Sequence, residues 1–475
     1  MKKKVLFLNL PGQNRYLRDY YCSKISQANY LLPPIDFIFQ SGFLRNDFEL
    51  SFIDAIVEKK DKLNIGKKIA VLKPHIIIFL AGSVSFIEDI LFVQNISNIF
   101  PEIQLIGTGD IFLGMDKQII EKFYFVEAFF DDFTSSCVLR YLKGERTNFT
   151  SLMWRDQQGR SYYPAETKEF QKEFDIPCPE LSLFLNKNYR YPFVKSKSFS
   201  VVLTDYGCPF KCRFCVMPSL GYKIRGIESV RSELEELNRN KVKDLLILDQ
   251  SFGVNKERSE KILNLLKYFN FRWVGFSRID LLDEHLIAMM KRAGCHALIL
   301  GVESGSEEIQ EYIGKKITRS QIKRAFTLCE EYSITTIATF ILGLPYESEK
   351  TIKETWNLIN EIKPDYVSFN VAVPRRNTEL RSDAIKMCLI NPDLDMMDQS
   401  GIQDISMRSE YLSKREISKF RMKSVSKFYF RKQFFFKQIV SLSDIYGFYN
   451  LIYQGFGVIQ QYISSFKRNV IKHEK

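Results

Sequence analysis

The sequence predicts an α/β protein that combines an N-terminal Rossmann-like, doubly wound sheet with an open (β/α)6 partial TIM barrel and a helical C-terminal segment. Two series of short apolar segments predict the two sheets, because stretches of helix length lie between most members of each series. A length of 475 residues allows each sheet to bury its own core. We therefore divide the chain into residues 1–144, a connector at 145–198, a barrel at 199–384 and a helical, basic region at 385–475.

The first sheet is predicted from β-rich segments that precede residue 130. They are KVLFLNL, FELSFID, HIIIFL, IQLIGTG and YFVEAFF. The helix-length stretches between most of them are typical of a parallel, doubly wound sheet. Ligands of such sheets bind beyond the carboxyl ends of the strands. We therefore expect a ligand near the loops LNLPGQ, FLAGS and GTGD.

The second sheet begins after the connector, which is irregular, marked by prolines and carries a small β-turn at DQQGRSYYPAE. Its predicted strands are FSVVLT, DLLILD, WVGFS, HALILGV, TTIATFIL and YVSFNV. Amphipathic helical stretches such as ESVRSELEELNRN lie between them. Six β/α steps favour an open, partial barrel over a closed barrel of eight strands.

The C-terminal region carries most of the positive charge of the chain. The net charge is +12, and thirteen Lys and Arg against three acidic residues lie between Lys414 and Lys475. The stretch KFRMKSVSKFYFRKQFFFKQI interleaves the cations with Phe and Tyr, which suits a helix lying on an anionic membrane. A helical cap over the barrel mouth with a solvated basic face explains the same pattern.

Neither export nor membrane insertion is predicted. The apolar run at the start of the chain ends after about six residues, and no small-residue cleavage site follows it. The longest apolar run, His75–Phe86, is well short of the roughly 18 to 20 residues that span a bilayer. We therefore expect a cytoplasmic protein in a reducing compartment, where nine cysteines, an odd number, are free thiols or metal ligands.

Three of the nine cysteines lie close together in the loop DYGCPFKCRFCVMPS, which follows the first barrel strand. Cys208, Cys212 and Cys215 have a Cys-x3-Cys-x2-Cys spacing, and loops in this position carry the chemistry of β/α barrels. Structural zinc takes four protein ligands, but no fourth Cys or His lies nearby in the sequence. An iron–sulfur cube held by three cysteines leaves one iron for a small molecule. The spacing therefore favours such a cluster over zinc.

This cysteine loop resembles the signature of the radical S-adenosylmethionine (SAM) superfamily, including the aromatic residue, Phe214, before the last cysteine. The resemblance implies that Cys208, Cys212 and Cys215 hold a [4Fe-4S] cluster, whose fourth iron is chelated by the amino and carboxylate groups of SAM. Reduction of the cluster then cleaves SAM to methionine and a 5′-deoxyadenosyl radical, which abstracts hydrogen from an unreactive carbon. The resemblance also implies a flavodoxin- or ferredoxin-type reductant.

Later segments fit the same family, because each places polar groups just past an apolar strand. They are LILDQSF, GFSRID, ILGVESGSEEIQEYIGK and FILGLPYE. The residues that the resemblance assigns to cofactor binding are Phe214, Asp249, Ser277, Arg278, Glu303, Ser304 and Gly343. For Glu303 and Ser304, a role in capping a helix is an equally good explanation.

The N-terminal part resembles the cobalamin-binding domain of B12-dependent radical SAM enzymes. The segments that carry this resemblance are LFLNLPGQNR, LLPPIDFIFQSGFLR, LSFIDA, KPHIIIFLAGS and IQLIGTGD. The Asp-x-His-x-x-Gly motif that gives a histidine to cobalt is absent, since His75 lies at a strand entry and Asp283-Glu284-His285 lacks the glycine and starts a predicted helix. The resemblance therefore implies cobalamin without a histidine ligand.

The two resemblances together imply methyl transfer from methylcobalamin to an unactivated carbon of a hydrophobic or natural-product substrate. Radical cyclisation or rearrangement without net methylation is one alternative, and a non-enzymatic iron–sulfur electron-transfer protein is another. An RNA methylthiotransferase is a third, but those enzymes carry a second cysteine trio in the first domain, where this chain has only Cys22 and Cys137. We therefore expect a small-molecule, lipid-like substrate, no nucleic acid, and peripheral membrane association through the tail.

Overall fold

The computed structural model describes residues 2–434, apart from 19, 114–116, 148, 165–171, 186, 395–396 and 433, together with 449, 452, 453, 455 and 457. The chain divides into two units. The N-terminal unit consists of residues 1–25, 31–189 and 222–236, and the C-terminal unit consists of residues 26–30, 190–221 and those from 237 onward. Each unit has its own large sheet, in which most neighbouring strands are parallel.

The first half of the chain alternates strands and helices over most of its length. Its strands are β1 (Lys4–Asn9), β2 (Tyr16–Leu17), β3 (Lys24–Ile25), β4 (Glu49–Asp54), β5 (Ile76–Leu80), β6 (Gln104–Thr108), β7 (Ala128–Phe130), β8 (Leu152–Arg155), β9 (Ser161–Tyr162) and β10 (Glu173–Phe174). Its helices are α1 (Ile35–Leu44), α2 (Lys62–Leu72), α3 (Phe86–Ile99), α4 (Lys117–Lys122), α5 (Cys137–Leu142) and α6 (Ser182–Leu185).

The sheet of the N-terminal unit has the strand order β4-β1-β5-β6-β7-β8-β9. The pairs from β4 to β7 are parallel, and all five strands that the apolar segments predict are confirmed. β5 is buried along its whole length because helices cover both faces of a sheet of this kind. β8 and β9 form an antiparallel hairpin that extends the sheet beyond β7. This hairpin lies in residues 145–198, which the sequence assigns to a connector.

The second half of the chain has a similar alternation with longer strands. Its strands are β11 (Phe199–Val202), β12 (Asp205–Gly207), β13 (Tyr222–Arg225), β14 (Asp244–Ile247), β15 (Arg272–Ser277), β16 (Cys295–Glu303), β17 (Thr335–Leu342) and β18 (Tyr366–Val371). Its helices are α7 (Ile227–Arg239), α8 (Lys256–Tyr268), α9 (Glu284–Arg292), α10 (Glu307–Ile313), α11 (Arg319–Glu331), α12 (Glu349–Ile362), α13 (Glu379–Lys386) and α14 (Lys414–Tyr429).

The sheet of the C-terminal unit is a partial barrel. Its order is β11-β14-β15-β16-β17-β18, and every neighbouring pair is parallel. All six predicted barrel strands are therefore confirmed, in the order in which they occur in the chain. Several helices begin at a side-chain cap, as Thr318 does for α11 and Ser348 does for α12. The carboxyl ends of the six strands meet at one edge, where a barrel places its functional residues.

Helix α14 covers the outer edge of the barrel sheet. The Tyr429 hydroxyl donates to the carbonyl of Val367 at 2.6 Å, and Arg421 Nε donates to the carbonyl of Phe369 at 3.2 Å. Both carbonyls belong to edge strand β18, whose polar groups would otherwise be open to another chain. The predicted helix in the basic region is thus confirmed over Lys414–Tyr429, while most of the tail beyond 434 lies outside the described residues. Within the described part, no helix is both long and apolar enough to cross a membrane.

Candidate active site at the carboxyl ends of the barrel strands

The three clustered cysteines lie on the loop that follows β12. Their side chains are half-buried and form no disulfide. The loop is fixed at its middle by backbone bonds to two helical segments, since Arg213 N donates to the Ile313 carbonyl at 3.1 Å and Leu380 N donates to the Arg213 carbonyl at 2.9 Å. Phe214 packs against the apolar cluster that these segments form. The backbone of Arg213 and the side chain of Phe214 therefore fix the loop without any contribution from the thiols.

Glycine is required where this loop begins. Gly207 has φ of +75°, and a Cβ atom built on it would lie 1.6 Å from the carbonyl oxygen of Gly221. Positive φ disfavours any residue with a Cβ atom, and the close carbonyl excludes one on steric grounds. Gly207 thus lets the chain turn sharply just before Cys208.

The three thiols have the donor chemistry of an iron–sulfur cluster. Among the described residues, no three His, Cys, Asp or Glu side chains are arranged to hold one metal ion. A four-iron cluster bonds each thiolate to a different iron atom, so its ligands do not converge on one point. Cys208 Sγ also lies 3.7 Å from Ser251 Oγ, a hydroxyl that can hydrogen-bond to a ligated sulfur. The donor set of Cys208, Cys212 and Cys215 therefore fits a [4Fe-4S] cluster.

Arg278 connects the end of β15 to the cysteine loop. Its Nη1 donates to Cys212 Sγ at 3.5 Å, and its guanidinium lies 3.7 Å from the centre of the Phe210 ring. The same side chain pairs with Asp280 at 3.0 Å and donates to the carbonyl of Lys315 at 2.9 Å. Burial raises the pKa of the Cys212 thiol, and the positive charges of Lys315 and Arg278 oppose that rise. The structure thus brings Cys212 and Arg278 together.

Glu303 ends β16 in an unusual backbone conformation. It has φ of +68°, and its buried carboxylate accepts a hydrogen bond from Lys315 Nζ at 2.6 Å. Lys315 also donates to the Gly301 carbonyl at 2.6 Å, while Gln310 Nε2 donates to the carbonyls of Val302 and Ser304. These bonds fix the end of β16, where its pairing with β17 is irregular.

Ser304, Asp249 and Ser277 have partners within the fold. Ser304 Oγ lies 3.2 Å from Thr355 Oγ1. The buried Asp249 carboxylate accepts hydrogen bonds from the backbone of Thr204 and Asp205, at 2.6 and 3.0 Å, and Ser277 Oγ donates to the Phe252 carbonyl at 2.8 Å. Burial raises the pKa of Asp249 to about 7, with the Asp205 charge adding to the rise. These side chains fix the chain where it leaves the strands.

Gly343 follows β17 and has φ of +85°. Its N–H donates to Oε2 of Glu347, a wholly buried residue whose Oε1 finds no hydrogen-bond partner within the described structure. Burial raises the pKa of Glu347 to about 8, opposed by the bond from Gly343. Sequence reasoning missed this carboxyl group. An acidic residue within FILGLPYE, directly before the helix cap Ser348, was the available signal.

The carboxyl edge of the first sheet carries a second polar cluster. The Asp110 carboxylate accepts hydrogen bonds from the hydroxyls of Ser23 and Ser83, both at 2.7 Å. Beside it, the buried Arg18 pairs with Asp89 at 2.7 Å. The glycine of the loop GTGD is needed there, because a Cβ atom on Gly109 would lie 1.8 Å from the Ala81 carbonyl oxygen. Small and polar residues thus line this edge.

None of the described histidines belongs to the loops of that edge. His75 directly precedes β5, at the opposite end of the sheet, and its Nδ1 accepts a hydrogen bond from Lys4 N at 3.1 Å. His285 lies in α9, which begins at the cap Asp283, so this Asp-x-His does mark a helix start as predicted. His296 lies within β16 and contacts the Phe193 carbonyl at 2.8 Å. Residue 473 lies outside the described part of the chain.

The comparison with protein families adds one decisive observation. Residues 202–359 match the model of the radical SAM superfamily, and this range contains the cysteine loop and β14 to β17. The chain carries a radical SAM domain. The match identifies this part of the chain as a radical SAM domain, as the cysteine loop predicts, and it supports an enzymatic function.

Curated relatives extend the likeness beyond this domain. An uncharacterized methyltransferase of Pyrococcus horikoshii is 26% identical over 430 residues, which is 86% of this chain and 90% of the relative. An anaerobic magnesium-protoporphyrin IX monomethyl ester cyclase of Rubrivivax gelatinosus is 23% identical over 360 residues. That match covers 72% of this chain and 64% of the cyclase, so the chain spans just under two thirds of it.

Solved structures share the fold of both units. The radical SAM methyltransferase TsrM from Kitasatospora setae, solved with cobalamin and a [4Fe-4S] cluster, has a TM-score of 0.63 at 17% identity, covering 82% of this chain and 78% of TsrM. The cobalamin-dependent SAM radical enzyme OxsB, solved with aqua-cobalamin and SAM, has a TM-score of 0.67 at 15% identity, covering 98% of this chain and 72% of OxsB. At these identities the likeness shows a common fold.

Proposed function

We propose that this radical SAM enzyme binds a [4Fe-4S] cluster through Cys208, Cys212 and Cys215, cleaves SAM reductively and methylates an unactivated carbon of a hydrophobic or natural-product substrate. The observation that carries the proposal is the cysteine loop. Three half-buried thiols come from one fixed loop at the mouth of the barrel, with the cation of Arg278 on one of them. Three thiolates leave one iron of a cube for a small molecule.

The chain's own residues would bind, orient and exclude water, while the cofactors supply the chemistry. With the cluster and SAM bound, reduction supplies a 5′-deoxyadenosyl radical, and methylcobalamin supplies the methyl group. Gly207 fixes the entry of the ligand loop, and Phe214 packs it against apolar side chains. We assign cofactor binding to the strand ends, which carry Asp249, Ser277, Arg278, Glu303, Ser304 and Gly343.

Cobalamin is proposed for the carboxyl edge of the N-terminal sheet. The edge fits a large polar cofactor, because its glycine-bearing loops approach closely and it presents the hydroxyls of Ser23 and Ser83 with the carboxylate of Asp110. The shared fold with two enzymes solved with cobalamin supports the assignment. Since none of the described histidines belongs to the loops of this edge, cobalt would take no histidine from these loops.

The Pyrococcus horikoshii relative favours methyl transfer over ring closure. Its match covers 86% of this chain and 90% of the relative, which is named an uncharacterized methyltransferase. Radical cyclisation or rearrangement without net methylation is the second candidate, because the Rubrivivax gelatinosus relative is a cyclase. Isotope transfer separates the two. Labelled methyl from SAM reaches the product in a methylation and is absent from the product of a cyclisation.

A hydrophobic or lipid-like substrate and peripheral membrane association belong to the same proposal. Both come from the basic, aromatic stretch that starts in α14 and continues into residues outside the described part. The described helix directs Ile417 and Phe428 into the fold and leaves its lysines toward solvent. Co-sedimentation of the enzyme with anionic vesicles, compared with neutral vesicles, tests the membrane contact. Equal recovery of the enzyme with anionic and with neutral vesicles would contradict the proposed membrane association.

The test of the whole proposal is an anaerobic reconstitution. The enzyme is loaded with iron, sulfide, cobalamin and SAM, desalted, and assayed for iron, sulfide, cobalt and 5′-deoxyadenosine formed on reduction. We expect four irons per chain, stoichiometric cobalt and 5′-deoxyadenosine, with iron and product lost in Cys212→Ala and kept in the control Cys388→Ala, an exposed free cysteine. Formation of 5′-deoxyadenosine without bound cobalt would contradict the assignments of cobalamin binding and of methyl transfer.

A further inference from the structure

A buried arginine contacts the sulfur of a proposed cluster ligand. Arg278 is 6% exposed, and its Nη1 donates to Cys212 Sγ at 3.5 Å. The sequence resemblance assigns Arg278 to cofactor binding, at a place where it could meet the ribose, carboxylate or adenine of SAM. The geometry instead directs one N–H of the guanidinium at a thiol.

The remaining contacts of the guanidinium fix its position. Asp280 pairs with it at 3.0 Å, the Lys315 carbonyl accepts from Nη2 at 2.9 Å, and the Phe210 ring lies 3.7 Å from its centre. A guanidinium forms its hydrogen bonds in one plane, stacks on aromatic rings through the face of that plane and keeps its positive charge. Because Phe210 lies between Cys208 and Cys212, the stacking also ties the arginine to the ligand loop.

The charges that surround Cys212 come from two ion pairs. Arg278 pairs with Asp280, and Lys315 pairs with Glu303 at 2.6 Å. Both cations are buried, with Arg278 at 6% and Lys315 at 6% exposure. Of these four groups, Arg278 donates a hydrogen bond to the sulfur. Arg278 is therefore the cation that directly contacts the proposed cluster ligand, Cys212.

A hydrogen bond from a cation to a thiolate has a defined effect on an iron–sulfur cluster. One-electron reduction adds a negative charge, which spreads onto the thiolate ligands, and donors to those sulfurs stabilise the reduced form. Burial strengthens the effect, because solvent screens the charges less. Removing the donor would therefore make the cluster harder to reduce.

We propose that Arg278 is a positioning residue that raises the reduction potential of the [4Fe-4S] cluster by donating to Cys212 and holds the ligand loop by stacking on Phe210. The proposal rests on the proposed function, since it requires that the cluster binds Cys212. It assigns to Arg278 a role in setting how readily a low-potential one-electron donor reduces the cluster. This role exists before SAM binds.

The test is a redox titration of the reconstituted enzyme without SAM, followed by electron paramagnetic resonance of the reduced cluster. Wild type is compared with Arg278→Gln, Arg278→Lys and the control Arg258→Gln. Arg258 is an equally buried arginine that pairs with Asp205 at 3.2 Å and donates to the Thr204 carbonyl at 2.8 Å. It supports the same loop through its backbone, and its hydrogen bonds go to oxygen atoms.

At the potential where half of the wild-type cluster is reduced, we expect Arg278→Gln to lower the ratio of reduced to oxidised cluster about tenfold, the scale of a charge-assisted hydrogen bond. The ratio in Arg278→Lys should lie between those of wild type and Arg278→Gln, and the ratio in Arg258→Gln should match that of wild type. An unchanged ratio in Arg278→Gln would overturn the proposal. So would loss of iron from both Arg278 variants while Arg258→Gln keeps it, because Arg278 would then serve assembly alone.

Failure of the proposed function gives a different result. If wild type retains no iron, the cluster assignment itself is wrong. If wild type retains iron and cleaves SAM while all variants share one midpoint potential, only the role of Arg278 is wrong.

Discussion

Glu347 is a wholly buried carboxyl group with one oxygen that forms no hydrogen bond within the described structure, and burial raises its pKa from 4.5 to about 8. Between about pH 4.5 and pH 8, the Glu347 carboxyl is therefore protonated in the folded state and ionised in the unfolded state. Over that window the unfolded state binds fewer protons, so the free energy of unfolding falls as pH rises.

We predict that Glu347→Gln removes this pH dependence. Gln resembles the protonated carboxyl in shape and charge, so the variant should gain stability relative to wild type by up to a few kcal/mol as pH rises from about 4.5 to about 8. Thermal unfolding at a series of pH values measures the difference. A constant difference over that range would contradict the prediction.

Glu361→Gln provides a control of opposite sign. Glu361 is an exposed residue that forms ion pairs with Arg319 and Lys323. These two cations lower its pKa to about 2. Its stabilising effect is present above the unfolded pKa and is lost as pH falls below it. We expect Glu361→Gln to lose a little stability above about pH 4.5 and this loss to disappear as pH falls toward 2, because exposed ion pairs contribute little.

The roles of single residues were predictable only in part. The cysteine spacing identified the ligand loop, and position beyond a strand end identified Arg278 and Glu303. What each side chain contacts depends on neighbours distant in sequence, such as Lys315 for Glu303 and Thr204 for Asp249. Glu347 was missed because its burial follows from packing after β17, which a single acidic letter does not reveal.

The ligand loop depends on one backbone conformation at the end of β12. We predict that Gly207→Ala loses most of its reconstituted iron and unfolds at lower temperature, because the new methyl group meets the Gly221 carbonyl at 1.6 Å. Iron per chain and the midpoint of thermal unfolding measure the effect.

Gly144→Ala is the matched control for this substitution. Gly144 has φ of +94°, but nothing lies within 4 Å of a Cβ atom built on it. It therefore incurs only the strain of positive φ, about 1–2 kcal/mol. Equal losses of stability in the two variants, with iron retained in both, would show that the carbonyl contact is unimportant.

At the edge of the barrel, α14 replaces a missing seventh strand with side-chain hydrogen bonds. We predict that Tyr429→Phe lowers the free energy of unfolding by about 1 kcal/mol, because the buried Val367 carbonyl loses its donor. Tyr268→Phe, at a tyrosine that is 78% exposed, should change it by much less. Denaturant unfolding of both variants measures the contrast, and equal effects would contradict it.

Elements were the most predictable level of structure. Buried parallel strands are continuous apolar runs, so all eleven predicted strands could be recognised from segments such as HIIIFL and TTIATFIL. The β8–β9 hairpin was not assigned to the first sheet, because strands of two to four residues have too little pattern to reveal which sheet they join. Its stacking of Trp154 on Tyr162, with ring centres 4.1 Å apart, is a contact across the turn.

The molecule as a whole has two large sheets, one in each unit, and each of these sheets has its own polar edge. The proposed cluster lies on the C-terminal unit and the proposed cobalamin site on the N-terminal unit. If each edge binds its own cofactor, then damage to one edge should leave loading of the other intact. Single substitutions can therefore separate the two cofactors.

We predict that Asp110→Ala lowers cobalt retention several-fold while leaving iron unchanged, because it removes the carboxylate that holds the hydroxyls of Ser23 and Ser83. Cys212→Ala should do the reverse. Asp47→Ala, at a surface pair with Lys143 in the same unit, is the control and should keep both metals. Iron and cobalt per chain after desalting give the answer. Full cobalt in Asp110→Ala would place cobalamin elsewhere, and joint loss of both metals would show that the two edges do not load independently.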